Sequence, residues 1–479
     1  MLIARAEIEG RGPLDVRVAA GRIAAGRIAE VGRDLPRRAG EPVLDAAGGA
    51  LLPGLHDHHL HLLALAAAGS SVRCGPPEVR TREELARALR GATPPIQQRA
   101  NEGSPDWIRG VGYHESVAGH LDRSALDALV GNAPARIQHR SGVLWILGSA
   151  ALARLGLDTG VDHPGVERDA RGRATGRVFR ADAWLRERIG GRDVPSLAFV
   201  GRRLARCGVT SATDATPGNG PAELRILCAA AAAGELPQRL VVMGSEELAQ
   251  PEHPRVTRGA LKVHLDDSAL PGFDELRERI AGAHAGGRPV AIHCVTRAEL
   301  VLAASALAAA GGRPGDRIEH ASVAPPDLVK LLADLPVAVV TQPGFVRERG
   351  DEYRAEVDAE DLPWLYRCRG FAEARVPLGG GTDAPFGDPD PWLAIRAAVE
   401  RRTGSGASLG ADEALSPEEA LALFTSPAEA PGGPPRRVTP GAPADLCLLD
   451  RPWQAARRDL SSGMVRASVC AGAVVWRAD

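Results

Sequence analysis

Lysine is nearly missing from this chain of 479 residues: of its 58 basic residues only Lys262 and Lys330 are lysine, all others being arginine. Aromatic residues are also scarce, at 4% of the chain, so no exposed aromatic stripe announces a partner. No two cysteines form a C-x-x-C pair. The seven present, Cys74, Cys207, Cys228, Cys294, Cys368, Cys447 and Cys470, are odd in number and scattered, which points to reduced thiols and a cytoplasmic location. A basic excess is absent as well, the formal net charge being −2, and this argues against nucleic acid or an anionic membrane as partner. The alanine-rich stretches Leu62 to Ala68 and Leu300 to Ala310 are too short to span a bilayer. The N-terminus meets Arg5 and Glu7 before any apolar core of a secretory signal can form.

What is present is the balance of a globular protein, 44% hydrophobic and 25% charged, with apolar material for a large core. The first fifty residues read as short strands, Leu2 to Ile8, Asp15 to Ala19, Arg27 to Gly32 and Pro42 to Asp45, with Gly and Pro between them. The near-repeat from Ala19 to Ala29 reads as a duplication in a loop. Near the C-terminus, Ala444 to Asp450 and Ala471 to Trp476 have the same strand character, so both ends can complete one small β-domain. Between them apolar runs alternate with Ala- and Leu-rich helical stretches, the βαβ signature of a parallel sheet. Candidate strands end near Asp57, Asp214, Met243, Leu265, His293, His320, Gln342 and Asp383. Eight such units predict an α/β fold, a (β/α)8 barrel with its site at the C-terminal strand ends. The expected organisation is a β-sandwich part over 1–50, the barrel over 51–435 and the second sandwich part over 436–479. A long insertion after the first barrel strand, about 70–194, is expected over the barrel mouth.

The apolar run Leu51-Leu52-Pro53-Gly54-Leu55 leads straight into His56-Asp57-His58-His59-Leu60-His61. In an extended chain residues two apart point the same way, so His59 and His61 can converge on one metal ion, and imidazole donors suit zinc. His56 and His58 should face away. Lys262 lies inside the apolar strand Gly259 to Leu265. A buried unpaired ammonium is costly, so such a lysine has a shifted pKa, a partner or a covalent modification, unless it snorkels from a strand edge. Arginine cannot stand in for a lysine that must lose its proton. A neutral amine can take up carbon dioxide as a carbamate, which would bridge two metals. Three further strand ends, Val290-Ala291-Ile292-His293, Arg317-Ile318-Glu319-His320 and Leu378-Gly379-Gly380-Gly381-Thr382-Asp383-Ala384-Pro385, complete a constellation in barrel order.

The order Pro-Gly-x-x-Asp-x-His-x-His, strand lysine, strand histidine, Glu-His and Gly-x-Asp-Ala-Pro resembles the amidohydrolase superfamily, in particular its YtcJ-like branch. Trp107 to Tyr113 and Ile137 to Leu155 resemble that branch's insertion, Thr341-Gln342-Pro343 its seventh strand, and Val438 to Leu446 its return to the β-domain. The resemblance implies that His59, His61 and Asp383 hold one divalent metal, with His293 and His320 completing the site. With Lys262 carboxylated the site would hold two ions, His293 and His320 on the second; otherwise it would hold one. Three positions depart from the branch: Cys294-Val295-Thr296-Arg297 stands where a Gly-Asp pair is expected, Val143 where a histidine is common, and Arg180 where an acidic residue is expected.

The chemistry expected of this set is hydrolysis of a non-peptide C–N bond in an amide, cyclic amide, urea or carbamate. A metal, zinc being the first candidate, lowers the pKa of water to about 7. Asp383 would serve as general base and then general acid, and His320 or a metal would polarise the carbonyl. A mononuclear deaminase releasing ammonia from a C=N carbon is the second reading; a catalytically silent scaffold would require lost ligands, and none is lost. Tyr113, His114, Arg140, Trp145, Arg180 and Gln342 are the candidates for contact with a small-molecule substrate. A homo-oligomer is compatible with the sequence.

Overall fold

The structure is a computed structural model and describes residues 1–19, 26–92, 107–189 and 196–478. Most of the near-repeat around Ala19 to Ala29 lies outside the described residues. Two compact units are formed, one from Met1–Leu62 with Leu197–Asp479 and one from Leu63–Ser196.

The first unit is built on eight parallel strands: β1 (Leu55–Leu60), β2 (Val209–Asp214), β3 (Arg239–Gly244), β4 (Val256–His264), β5 (Val290–Cys294), β6 (Asp316–His320), β7 (Val337–Thr341) and β8 (Leu378–Gly380). They pair in sequence order from β1 to β8. Parallel strands covered by helices are buried on both faces and read as apolar runs rather than alternations, which is why their ends fall close to the positions expected from sequence. Past the strand ends, Asp383 N–H donates to His59 O at 2.7 Å and His61 N–H to Ala384 O at 2.8 Å, drawing β8 against β1 and nearly closing a barrel. Gly381 makes this approach possible, because a Cβ there would sit 2.6 Å from the Cβ of His59.

Two four-stranded sheets accompany the barrel. One contains Leu2–Ile8, Arg11–Ala19, Arg27–Gly32 and Val43–Asp45, the other Leu51–Pro53, Leu446–Leu449, Val465–Cys470 and Ala473–Arg477. Ile3, Ile8, Val16 and Ile28 from the first share an apolar core with Leu446, Leu448, Ala467 and Val469 from the second. The sequence boundary at residue 51 therefore needs correction. Leu51–Pro53 does not start the histidine strand; it pairs antiparallel with Leu446–Leu449. The chain turns at Gly54, whose N–H donates to Asp445 O and whose missing side chain admits Thr210, 2.2 Å from where a Cβ would lie. The strand Val465–Cys470 was not among the expected ones.

The second unit, taken by itself, holds a six-stranded sheet in the order Val166–Arg168, Ala174–Phe179, Leu144–Leu147, Ala135–His139, Ile108–Tyr113 and Val72–Arg73. Its apolar cores form around Leu126, Ile137 and Ile146, and around Leu152, Leu155 and Val178. The insertion thus starts earlier in the chain than residue 70 and folds with its own interior. All seven cysteines are free thiols. Among the described residues no helix is long and apolar enough to cross a membrane.

Candidate active site

Strand alternation delivers the first two histidines to one carboxylate. His61 Nε2 lies 3.0 Å from Asp383 Oδ1 and His59 Nε2 3.5 Å from the same atom. Each ring is oriented from behind. His59 Nδ1 meets the buried carboxylate of Glu319, and His61 Nδ1 lies 2.9 Å from Thr216 Oγ1. Because a carboxylate only accepts, Nδ1 of His59 carries its proton toward Glu319 and Nε2 keeps its lone pair on the side of Asp383. Glu319 is itself anchored by Arg317, whose Nε lies 2.7 Å from Oε1. Burial works against the charge on Glu319, but Arg317, Lys262 and His59 together hold it well below the usual carboxylate range.

His320 Nδ1 faces Gln342 Oε1 at 2.7 Å, so the neutral ring keeps its lone pair on Nε2. The rings of His320 and His59 are 4.7 Å apart between centroids, and those of His320 and His293 4.4 Å. Burial, with a contribution from the Lys262 charge, pushes His59 down to about 3, and burial likewise lowers His293 and His320. These are neutral imidazoles, the form a metal requires. Asp383 stays ionised: burial opposes the charge, but the hydrogen bond with His61 and the surrounding imidazoles hold it below the usual carboxylate range. The backbone marks the place too, with φ of 69° at His320 and 56° at Asp383, left-handed values rare for residues with a side chain. Such strain collects where a site demands a particular geometry.

Lys262 is 2% exposed and its Nζ has no hydrogen-bond partner. Burial brings it down to about 8, against the opposing pull of Glu319 and Asp383. Lys330, by contrast, is exposed on the helix Pro326–Ala333. His264 stands two residues beyond Lys262 in β4 and pairs in register with His293, its ring 4.3 Å away. His264 and Thr216 were not among the expected site residues, although the same two-residue spacing that joins His59 to His61 joins Lys262 to His264. Asp57 was expected only as a strand end and a motif position. The carboxylate of Asp57 accepts from His59 N at 3.1 Å, Thr382 N at 3.0 Å and Thr382 Oγ1 at 2.5 Å, tying β1 to the segment that carries Asp383.

His56 and His58 are spent on structure: His56 on Ser211 and Thr213, His58 on Ser426. Of the expected substrate contacts, Gln342 is engaged with His320, its Oε1 2.7 Å from Nδ1. Tyr113, His114, Arg140, Trp145 and Arg180 lie in the insertion. There Tyr113 donates to Gly119 O at 2.5 Å, His114 packs against Ser116 at 2.9 Å, and Trp145 donates to Asp182 Oδ1 at 2.9 Å. Arg140 and Arg180 enter the sheet hydrogen bonding through their backbone N–H groups, to Tyr113 O and Val143 O. The departure Cys294-Val295-Thr296-Arg297 is a helix start: Thr296 Oγ1 caps Glu299 N at 3.2 Å and Glu299 Oε2 returns to Thr296 N at 2.9 Å.

One donor atom each from His59, His61 and Asp383 falls within 4.8 Å of the others, an arrangement able to hold a divalent cation. The lone-pair orientations, the neutral rings and the orphaned Lys262 amine all fit such an ion. The Amidohydrolase family model matches residues 42–476. The chain belongs to this family. With that membership it is a hydrolase acting on carbon–nitrogen bonds other than peptide bonds, and its YtcJ-like character is borne out by similarity to YtcJ of Bacillus subtilis, 23% identical across 79% of each chain. It is similar to an N-substituted formamide deformylase of Arthrobacter pascens, 28% identical over 90% of this chain and 89% of the relative. Among solved structures it resembles an uncharacterized metal-dependent hydrolase of Pyrococcus horikoshii, with a TM-score of 0.70 at 22% identity, covering 94% of this chain and 96% of the other.

A carboxylate behind a metal-ligating imidazole sets its basicity, and Glu319 stands in that place behind the candidate ligand His59. Changing Glu319→Gln is therefore expected to weaken metal affinity or kcat/KM about 10- to 100-fold. Metal titration beside steady-state kinetics checks it, and unchanged values in both would show that Glu319 serves packing alone.

Proposed function

We propose that this amidohydrolase cleaves a non-peptide C–N bond of a small molecule, of the amide, cyclic amide, urea or carbamate type, with water as nucleophile and a divalent metal, zinc first, as cofactor. The observation that carries the reading is Asp383 Oδ1 lying beside both His61 Nε2 and His59 Nε2 at a strand end, with Lys262, His293 and His320 grouped around it. His59, His61 and Asp383 would hold the cation, and His293 and His320 would complete the set. When bound, the ion supplies Lewis acidity, lowering the pKa of water to about 7 and polarising a carbonyl.

The chain's own residues then account for the protons. Asp383, an ionised carboxylate, accepts a proton from the attacking water at Oδ1 or Oδ2 and returns it to the departing nitrogen, acting as base and then acid. Glu319 and Gln342 hold the His59 and His320 rings with the proton on Nδ1, so that each offers its Nε2 lone pair to the cation. Lys262, with its pKa drawn toward neutrality, can combine with carbon dioxide to give a carbamate and a released proton; the carbamate oxygens would serve a second ion. The convergence of donors on a single position favours, as a second reading, a mononuclear deaminase.

The formamide-cleaving relative makes N-substituted formamides the first substrates to try. Formate release by protein purified without chelator should fall at least about 100-fold on metal removal and return with added zinc. Turnover that survives exhaustive chelation would overturn the metal-dependent reading, whereas ammonia release from amino-substituted heterocycles, with formamides untouched, would favour the deaminase.

A further inference from the structure

Several arginines of the barrel unit are well supplied with partners. Arg401 donates to the carbonyls of Leu409, Gly410, Tyr366 and Leu365, Arg288 to those of Gly259, Ser245, Gly244 and Ala260, and Arg367 is paired with Glu413 at 2.7 Å. Arg349 breaks this pattern. It lies half-buried on the helix Gly344–Glu356 that follows β7. Its guanidinium carbon stands 3.9 Å from the Phe345 ring centroid, and Nη2 donates to Phe386 O at 2.5 Å. Among the described residues it makes no ion pair. Its neighbour Glu348 is turned to the backbone N–H of Asp388, at 3.2 Å.

The surroundings of Arg349 are aromatic. Phe345, Tyr353, Tyr366 and Phe386 belong to one apolar cluster, with Tyr366 edge-on to Phe345 at 5.6 Å and its hydroxyl 3.2 Å from that of Tyr353. This cluster reaches the catalytic group directly, because the Phe386 ring meets the His61 ring edge-on at 5.4 Å. Phe386 therefore carries both contacts: its ring touches a metal-ligand candidate and its carbonyl holds the guanidinium. A guanidinium presents five N–H donors in a planar fork, and a ring face with one carbonyl leaves most of them unused. Burial disfavours this cation, while Tyr353, Tyr366, Glu348 and Asp383 favour it without a direct ion pair, so the unused donors stand open to a further carboxylate.

We propose that Arg349 is a specificity-determining residue that binds a substrate carboxylate, and that the substrates are acylated amines which also carry a carboxylate and an apolar group for the Phe345 and Phe386 surface. This rests on the hydrolase reading of the same site. The planar fork matches a carboxylate bidentately, and its stacking on Phe345 pre-sets its plane, so a lysine cannot fully replace it.

The test compares wild type, Arg349→Met and Arg349→Lys, all metal-loaded, on an N-formyl aromatic amino acid and on its primary amide. The ratio of kcat/KM for the acid over the amide should fall roughly 10- to 100-fold in Arg349→Met and less in Arg349→Lys. A ratio that is the same in wild type and Arg349→Met overturns the assignment. Calorimetric binding of 3-phenylpropanoate provides an arm independent of turnover, with affinity expected to drop at least about tenfold in Arg349→Met. If neither formyl compound is hydrolysed by wild type, the acylated-amine substrate class is overturned, and the carboxylate subsite is then decided by calorimetry: equal affinities, or no binding by wild type, overturn it. Should Arg349→Met fail to melt cooperatively, the same comparisons are made with Arg349→Lys, which keeps the charge and loses the fork.

Discussion

Asp383→Asn should lower kcat on any substrate this protein hydrolyses by roughly 1,000-fold or more, since it removes the proton acceptor and weakens a ligand in one step. The amide is nearly isosteric, so Thr382 can still bond Asp57 and the left-handed turn at φ 56° can still form. What is lost is specific. An asparagine oxygen can accept a hydrogen bond from His61 but takes no proton at neutral pH, and its neutral dipole attracts a cation less than a carboxylate does. Steady-state kinetics at saturating metal would show a collapse in kcat with a modest change in KM, the pattern of an interaction made during the chemical step. Metal titration would show weaker binding. Activity within tenfold of wild type at saturating metal would remove Asp383 from proton transfer and leave it only a ligand. Asp383→Glu is no rescue: an extra methylene at a backbone held between His59 and Thr341 moves the carboxylate away from the 3.0 Å contact with His61.

The barrel was legible because most of its strands carry apolar runs and several end in a histidine or aspartate; the alternation of runs and helices needs no knowledge of partners. The ligand candidates were legible for the same reason, each standing at the end of such a run. Leu51–Pro53 was misassigned because Leu51, Leu52 and Leu55 look alike in sequence, and only pairing with Leu446–Leu449 shows that the chain changes sheets at Gly54. The strand Val465–Cys470 escaped because its Arg466 and Ser468 alternate with small apolar residues and its pairing partners confer its identity. The supporting shell was the least legible part. Glu319 reaches His59 across 260 residues and Thr382 reaches Asp57 across 325, so although Asp57 and Glu319 stand in the motif, no local pattern announces what they bond. Tyr113 and Trp145 were candidates for substrate contact because their segments were expected at the barrel mouth, yet each spends its polar atom on a partner within the insertion. Arg349 carries no local sign at all in a chain so rich in arginine; its meaning comes from its place between the Phe345 ring and the Phe386 carbonyl.

Lys262→Met is the change expected to separate stability from function most sharply. The side chain is enclosed and its amine has no partner, so the folded protein holds a group that would be better hydrated when unfolded. Methionine fills similar volume without an amine, and the metal-free variant should melt higher than metal-free wild type by a few degrees, on the order of 1–2 kcal/mol. Activity should move the other way, down about 100-fold or more, if the amine serves as a carbamate. The sign of the pH effect follows from the pKa. A lysine lowered to about 8 from an ordinary 10.5 binds its proton less tightly folded than unfolded. Metal-free wild type should therefore gain stability relative to Lys262→Met as pH rises through the window from 8 to 10.5. Elemental analysis completes the argument. Near two ions per chain in wild type and near one in the variant identifies Lys262 as the link between two metals; one ion in both, with activity retained, returns it to a structural role and favours the mononuclear deaminase. One of only two lysines in the chain, in a place where it costs stability, is best understood as kept for its chemistry.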